Sequence, residues 1–182
     1  MKNTHLQHPE DSILTGDLTA LDWLLAQGDL SVKIDGAPAI VWGTNPQTGN
    51  FFVGTKSVFN KVKIKINETH DDIDRNHSGV VADILHHCFD FLPSFDGIVQ
   101  GDFIGYGGDD TFCPNTITYI FDEVIDQNII IAPHTLYATD GELKDAYTIN
   151  DMVDMEVFDD TETCKFVQPD AWQVDEDFDE VV

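Results

Sequence analysis

Basic residues are scarce in this sequence. Nine Lys and Arg residues stand against 34 Asp and Glu residues, so the formal net charge is −25 over 182 residues. A chain with this charge should repel nucleic acid unless its few cations lie together. Four of the nine do, because Lys56, Lys61, Lys63 and Lys65 fall within ten residues. The acidity leaves three explanations open: a salty habitat, an excess of solvated surface, or a basic partner.

Long apolar runs and paired cysteines are also missing. No stretch approaches the roughly 20 apolar residues of a membrane span, and the N-terminal MKNTHLQHPEDS lacks the apolar core of a signal peptide. We therefore predict a soluble, cytoplasmic protein. Cys88, Cys113 and Cys164 lie far apart without a CxxC pair, which argues against a zinc ribbon and a disulfide framework. We expect all three to be buried free thiols.

The length and the apolar content are typical of one packed domain. Hydrophobic residues make up 42% of the chain and aromatic residues 10%, which is enough for a core. We predict a single domain over residues 1–170 that begins with a helical segment at 1–28. An acidic tail at 171–182 is expected to be flexible.

Helical periodicity appears in separate parts of the chain. Residues 17–27 place leucines at helical spacing, and Asp17 can cap the start of that helix. Residues 78–91 form a second predicted helix. A short helix capped by Asn150 or Asp151 is predicted before the segment CKFVQ.

Strand signals lie between the helices. The predicted strands cover residues 30–34, 37–43, 50–55, 97–108, 115–125 and 128–132. The second and third flank the turn-rich TNPQTGN and should form a hairpin. KVKIKIN alternates charged and apolar residues, which is typical of an edge strand or an extended loop. Helices and antiparallel-looking strands without a βαβ rhythm indicate an α+β fold.

The segment SVKIDGAPAIVWG, residues 31–43, carries the strongest candidate for chemistry. A lysine at the end of a strand, followed by a tight turn, can present its amine to a cleft. Lys33 must lose a proton to attack a phosphate, and burial or a nearby cation would lower its pKa. Asp35 should point to the same side, and Gly36 permits a turn or a close backbone approach. Taken alone, this pattern is more often a surface turn.

Four segments in order resemble the covalent nucleotidyltransferases. This superfamily includes ATP-dependent DNA ligases, RNA ligases and mRNA capping enzymes. KIDG resembles its motif I, FFVGTKSVF the strand that follows, GIVQGDFIG motif III, and TITYIFDEVI motif IIIa. The resemblance implies an α+β ligase-type nucleotidyltransferase domain with antiparallel sheets and flanking helices.

The same resemblance assigns a catalytic pair. Lys33 would form a lysyl-AMP intermediate from ATP through a phosphoramidate bond. Asp35 would position that lysine or a metal ion, and Gly36 would lie against the nucleotide. Mg²⁺ would accompany the triphosphate, and a nucleic-acid end is the implied acceptor.

Four further residues are implied to bind the nucleotide. Lys56 would contact phosphate, although the family often uses Arg there. Asp102 would hold the ribose at a position where Glu is commoner. Tyr119 and Phe121 share a strand face in the predicted motif IIIa, and Phe121 is the preferred residue for stacking on the base.

Two motifs of the superfamily are not visible. Motif IV is an acid and a glycine followed by apolar residues and lysine, and motif V is a K-x-K pair. Lys144 and Lys165 are the only cations beyond residue 75, and they are not paired. Either the chain is a shortened version of a longer protein, incomplete at its C-terminus, or the missing lysines come from elsewhere.

A closer resemblance is to a group of tailed-phage proteins, many of them from marine phages. The segments that carry it are THLQHPED, KIDGAPAI, FFVGTKSVFNK, IVQGD and PNTITY, within roughly residues 4–125. This resemblance implies a phage protein in the cytoplasm of an infected host cell. A marine origin would also fit the acidic composition.

Two other functions remain open from the sequence. The chain could be a degenerate or truncated nucleotidyltransferase fold that binds a nucleotide or a protein without turnover. It could also be an acidic protein that mimics nucleic acid and occupies a basic partner.

The histidines are weaker candidates for a site. HDDIDRNH, residues 70–77, could ligate a metal ion, but its spacing matches no metal signature and a solvated loop before a helix is favoured. His86 and His87 are adjacent on a predicted helix and face different ways, so they are not expected to form a ligand pair. Arg75 is expected to pair with a neighbouring aspartate.

Overall fold

The computed structural model describes residues 9–25, 33–149 and 158–168. Residues 9–25 belong to one compact unit, and the remaining described residues belong to another. The predicted short helix after Asn150 or Asp151 and the acidic tail at 171–182 lie outside the described residues.

The N-terminal unit contains two short helices, α1 (Pro9–Leu14) and α2 (Thr19–Leu25). Helix α2 lies within the predicted helix at 17–27. The Asp17 carboxylate accepts hydrogen bonds from the Thr19 backbone N–H at 3.1 Å and from the Thr19 hydroxyl at 2.6 Å. These bonds hold the start of α2, as expected for a capping aspartate, and they lower the pKa of Asp17.

The larger unit is an α+β structure, as predicted. Its helices are α3 (His70–Asn76) and α4 (Val80–Phe91), with short 3-10 helices at Lys56–Phe59 and Leu143–Asp145. Its strands are β1 (Ala39–Thr44), β2 (Phe51–Gly54), β3 (Ile98–Tyr106), β4 (Thr111–Phe112), β5 (Tyr119–Ile120), β6 (Ile129–Ala138), β7 (Tyr147–Ile149) and β8 (Cys164–Phe166).

Six of these strands form one sheet in the order β2-β1-β3-β6-β7, with β8 also pairing with β6. Every pair in this sheet is antiparallel except β6 and β8. Strands β4 and β5 form a separate antiparallel pair. Strands β1 and β2 confirm the predicted hairpin.

Strand β1 is buried on both faces of the sheet. Ile40 and Trp42 pack in a core cluster with Leu85 of α4, so this face is covered by helix. Val41, between them in the sequence, packs in another cluster with Phe52 on the opposite face. The alternation follows from the two-residue period of a strand.

Two predicted strands differ from the structure. Of the strand predicted over 30–34, residues 30–32 lie outside the described residues, and residues 33 and 34 are not in a strand. Within the predicted strand 115–125, only Tyr119 and Ile120 pair, with β4. Of the two alternatives predicted for KVKIKIN, the structure has the extended loop, and its one described bridge joins Asn67 to Val53. Alternating residues indicate a strand, but a strand forms only where a partner is in register.

The segment HDDIDRNH forms helix α3 instead of the expected loop. Thr69 caps it, because the Thr69 side chain accepts a hydrogen bond from the Asp72 backbone N–H. Ile73 is fully buried and anchors the helix in the core. Arg75 donates to Asp72 at 2.7 Å, which confirms the predicted ion pair.

The cysteines are free thiols in two environments. Cys88 and Cys164 are buried, as expected, and burial raises the pKa of both, to about 12 for Cys164. Cys113 is exposed, so the prediction was wrong for this residue, which lies in the loop after β4.

None of the helices in the described parts of the chain is both long and apolar enough to span a membrane.

Candidate active site

Strand β3 carries the polar residues at the centre of the site. Gln100 and Asp102 lie on the sheet face opposite α4, since side chains alternate along the strand. Ile98 and Ile104 flank them on that face and belong to separate apolar clusters. A buried polar strip therefore lies between two apolar clusters, and the Asp102 side chain within it is only 7% exposed.

Lys33 approaches this strip from the segment before β1. Its Nζ lies 2.7 Å from Asp102 Oδ2 and 3.1 Å from Asp35 Oδ1. The Lys33 side chain is 42% exposed, so the amine joins the buried strip to the protein surface. The fold thus brings together the lysine of the KIDG segment and the acid of the GIVQGDFIG segment.

The KIDG segment lies directly against β3. The Gly36 N–H donates to Asp102 Oδ2 at 3.3 Å, and the Ala37 N–H donates to the Phe103 carbonyl at 3.0 Å. A Cβ atom on residue 36 would collide with the Phe103 carbonyl oxygen and crowd Ile104. Glycine is therefore required here for close backbone packing, in addition to any role towards a nucleotide.

Two residues of the loop and strand around β5 hold Asp35. The Asn115 amide donates to Asp35 Oδ2. The Tyr119 hydroxyl accepts from the Asp35 N–H at 2.9 Å and donates to the Asp35 carbonyl at 2.8 Å. Tyr119 was predicted to bind a nucleotide, and its observed contacts are with the backbone of the KIDG segment. Asn115 was not predicted, although it belongs to the segment PNTITY.

His134 is a buried partner of Asp102 that was not predicted from the sequence. Its Nε2 lies 3.3 Å from Asp102 Oδ1, and its Nδ1 lies 2.7 Å from the Thr135 hydroxyl. These contacts are satisfied together when Nε2–H donates to Asp102 and Nδ1 accepts from Thr135. The available signal was a lone histidine in the largely apolar segment IIIAPHTLYA.

The polar strip continues from His134 to Tyr137. Gln100 Nε2 lies 3.5 Å from His134 Nε2, which is a polar contact but not a hydrogen bond when that ring nitrogen carries the proton, and the Tyr137 hydroxyl donates to Gln100 Oε1 at 2.8 Å. Burial raises the pKa of Tyr137 to about 12, so its hydroxyl keeps its proton and remains a donor. The strip is thus a chain of buried polar groups that ends at the Lys33 amine.

The ionic state of the site follows from these contacts. Burial alone would lower the pKa of Lys33, but the bonds to Asp102 and Asp35 outweigh it, and the pKa is raised. Burial alone would raise the pKa of Asp102, but His134 and Lys33 outweigh it, and the pKa is lowered. The site therefore holds an ammonium and a carboxylate, whereas nucleophilic attack was expected to need a lowered lysine pKa.

The other predicted nucleotide contacts lie in different surroundings. Lys56 is exposed at the start of a 3-10 helix that follows β2. Phe121 is half-buried, and its ring packs edge-on against Phe112 with ring centroids 5.8 Å apart. Of the two aromatic candidates, Tyr119 is the one whose described contacts reach the KIDG segment.

The match to a family model extends over nearly the whole chain, from residue 3 to residue 180. The chain belongs to DUF6267, a family of unknown function. No curated protein and no solved structure is significantly similar to it.

The described residues fit a magnesium ion only as a companion of bound phosphate. In the described parts of the chain, no three His, Cys, Asp or Glu residues converge where they could hold a metal ion. Mg²⁺ is commonly bound through one or two carboxylates together with phosphate oxygens. Asp35 is 53% exposed beside Lys33 and is the carboxylate available for that purpose.

Proposed function

We propose that this chain is a nucleotidyltransferase of the polynucleotide-ligase type, in which Lys33 becomes covalently linked to AMP. The observation that carries the proposal is the 2.7 Å contact between Lys33 Nζ and Asp102 Oδ2. It joins the segments that resemble motifs I and III of that superfamily. A partly exposed lysine fixed by a buried carboxylate is also a suitable arrangement for a positioned nucleophile.

The first chemical step needs a free amine. The Lys33 ammonium must lose a proton before attack, and Asp102, 2.7 Å away, is the acceptor within reach, although the raised pKa of Lys33 and the lowered pKa of Asp102 oppose this transfer in the free protein. The other oxygen of Asp102 contacts His134. The amine nitrogen then forms a bond to the α-phosphorus of ATP. The bond from that phosphorus to the oxygen bridging to the β-phosphate breaks, pyrophosphate leaves with the electron pair, and the bonded nitrogen loses a second proton to pyrophosphate or water to give the phosphoramidate.

The remaining residues position the reactants. Asp102 is buried and contacts Lys33, Gly36 and His134, so we assign it to positioning Lys33 in preference to the ribose. Lys56 is assigned to phosphate and Phe121 to the base. Mg²⁺ bound with the triphosphate would neutralise phosphate charge.

The acceptor we propose is a nucleic-acid end in the cytoplasm of a phage-infected cell. The loop KVKIK presents Lys61 and Lys63 to solvent, and Val62 between them is 91% exposed. Cations clustered in an otherwise acidic chain can bind phosphate while the rest of the surface repels nucleic acid.

A second candidate is a nucleotide-binding module without turnover. The raised pKa of Lys33 favours it, since a lysine held between two carboxylates stays protonated at neutral pH. Motifs IV and V, which would complete the catalytic pocket, are also not visible in the sequence.

The deciding experiment is incubation with Mg²⁺ and ATP labelled in the α-phosphate. If Lys33 is the nucleophile, the wild type and the control variant Lys144→Arg should carry an acid-labile label. Lys33→Arg should carry none. Arginine keeps the positive charge towards Asp102 but is not a nucleophile at neutral pH. Noncovalent nucleotide binding without a label would favour the second candidate. A label that persists on Lys33→Arg would refute the role of Lys33.

A further inference from the structure

Two histidines on consecutive helices face each other at the surface of the larger unit. His70 begins α3, and His86 lies in the middle of α4. Their Nδ1 atoms are 2.7 Å apart, the ring centroids 4.9 Å apart, and the ring planes differ by 22°. The centroid distance is nearly the largest that is possible for nitrogens this close, so the rings meet edge to edge. Each Nδ1 therefore points at the other.

The outer nitrogens of both rings are held by carboxylates. His70 Nε2 lies 3.0 Å from Asp90 Oδ1, and His86 Nε2 lies 3.0 Å from Asp74 Oδ1. A carboxylate accepts hydrogen bonds, so it fixes the ring proton on Nε2. Both Nδ1 atoms then present lone pairs to the same point, and a positive species is needed between them. It can be a proton or a metal ion.

We propose that His70 and His86 bind a divalent transition-metal ion, such as Zn²⁺, through their Nδ1 atoms. Zinc–nitrogen bonds of 2.0–2.1 Å in tetrahedral geometry place two ligand nitrogens about 3.3 Å apart. The rings therefore need to separate by about 0.6 Å and to turn by roughly 35° each, so that both lone pairs point at the metal. The His70 and His86 side chains are 47% and 26% exposed, which leaves room for that movement and for water ligands.

The surroundings of the pair resemble those of known metal-binding histidines. A ligating histidine commonly donates its other ring N–H to a carboxylate, which fixes the tautomer and increases the basicity of the ligand. Asp90 and Asp74 are already in those positions. The net charge of −25 also favours a bound cation.

The site is independent of the Lys33 site and has a structural consequence. It joins the first residue of α3 to α4, and a metal bound only in the native state stabilises that state. Imidazole ligands select first-row transition metals over Ca²⁺ and Mg²⁺, which prefer oxygen. Preference for a transition metal over Ca²⁺ and Mg²⁺ therefore distinguishes binding at the histidine pair from binding to surface carboxylates.

The test is calorimetric titration of the full chain with ZnCl₂, with a matched pair of variants on α4. His86→Ala should lower Zn²⁺ affinity at least tenfold, whereas His87→Ala should leave it unchanged, because His87 packs against Tyr106 instead. Asp90→Asn should lower the affinity by about tenfold or more. Equal Zn²⁺ affinity in His86→Ala and the wild type would overturn the proposal, as would equal losses in both alanine variants.

Two further measurements show whether a variant is folded and whether the metal binds at the histidine pair or elsewhere. Circular dichroism checks each variant, and His70→Ala replaces His86→Ala if the latter does not fold. The electron paramagnetic resonance spectrum of bound Cu²⁺ should show coupling to two nitrogens in the wild type and to one in His86→Ala. Displacement of Zn²⁺ by an equal concentration of Ca²⁺ would contradict a histidine site.

Discussion

Lys33 Nζ and Asp102 Oδ2 are 2.7 Å apart, although 69 residues separate these residues in the chain. The contact joins an exposed amine to a buried carboxylate at the end of a polar strip. It also connects the segment before β1 to the centre of the sheet. The candidate site and the stability of the fold both involve this contact, so substitutions at these two residues test both.

Replacing the buried carboxylate should destabilise the protein. Asp102→Asn keeps the shape of the side chain but removes the charge that pairs with Lys33. We expect the free energy of unfolding at pH 7 to fall by about 2 kcal/mol, since hydrogen bonds to charged groups contribute about 1.5–3 kcal/mol. Urea denaturation measures this free energy of unfolding. The exposed Asp140→Asn is the control and should stay within about 0.5 kcal/mol of the wild type.

The difference between the wild type and Asp102→Asn should depend on pH. The pKa of Asp102 is lowered in the folded state, so the carboxylate stabilises the fold above the ordinary aspartate pKa. This contribution is lost as the pH falls below about 4 and through the lowered folded-state value. The free energies of unfolding of the two proteins, measured from pH 7 to pH 2.5, should therefore converge at the acid end. A constant difference across this range would show that the carboxylate charge is not the cause.

A side chain at residue 36 should disturb the packing of the KIDG segment on β3. In Gly36→Ala the added Cβ would collide with the Phe103 carbonyl oxygen, which is backbone and cannot easily move. We expect a loss of about 1–3 kcal/mol in the free energy of unfolding, as for other overpacked sites. Gly141→Ala is the matched control, because nothing lies within 4 Å of its added Cβ. Equal stabilities of the two variants would contradict the close approach.

Removing the Tyr119 hydroxyl should loosen Asp35. In Tyr119→Phe the N–H and the carbonyl of Asp35 both lose a partner, while the ring remains. We expect a loss of about 1 kcal/mol, measured by urea denaturation. Tyr147→Phe in β7 is the control for removal of a tyrosine hydroxyl. If Tyr119 instead only stacks on a base, Tyr119→Phe should leave the stability of the free protein unchanged.

Elements with strong local signals were predicted well. The hairpin of β1 and β2 follows from two apolar runs around a turn-rich loop. Helix α4 follows from apolar periodicity over residues 78–91 and begins at Val80.

Strand β6 was predicted to end at Ala132, before Pro133, yet it continues to Ala138. The register shift between β3 and β6 at this point tolerates a proline, which a regular inner strand does not.

The sequence by itself determined the α+β class, the KIDG segment and the candidates Lys33, Asp35 and Asp102. These depend on spacing, residue type and resemblance, which are readable along the chain. Tertiary structure alone decided that Asp102 faces Lys33, that His134 lies behind it, and that the lysine pKa is raised. It also decided that His70 meets His86, not His77 or His87. Such contacts depend on strand register and helix packing across tens of residues, and no local pattern encodes them.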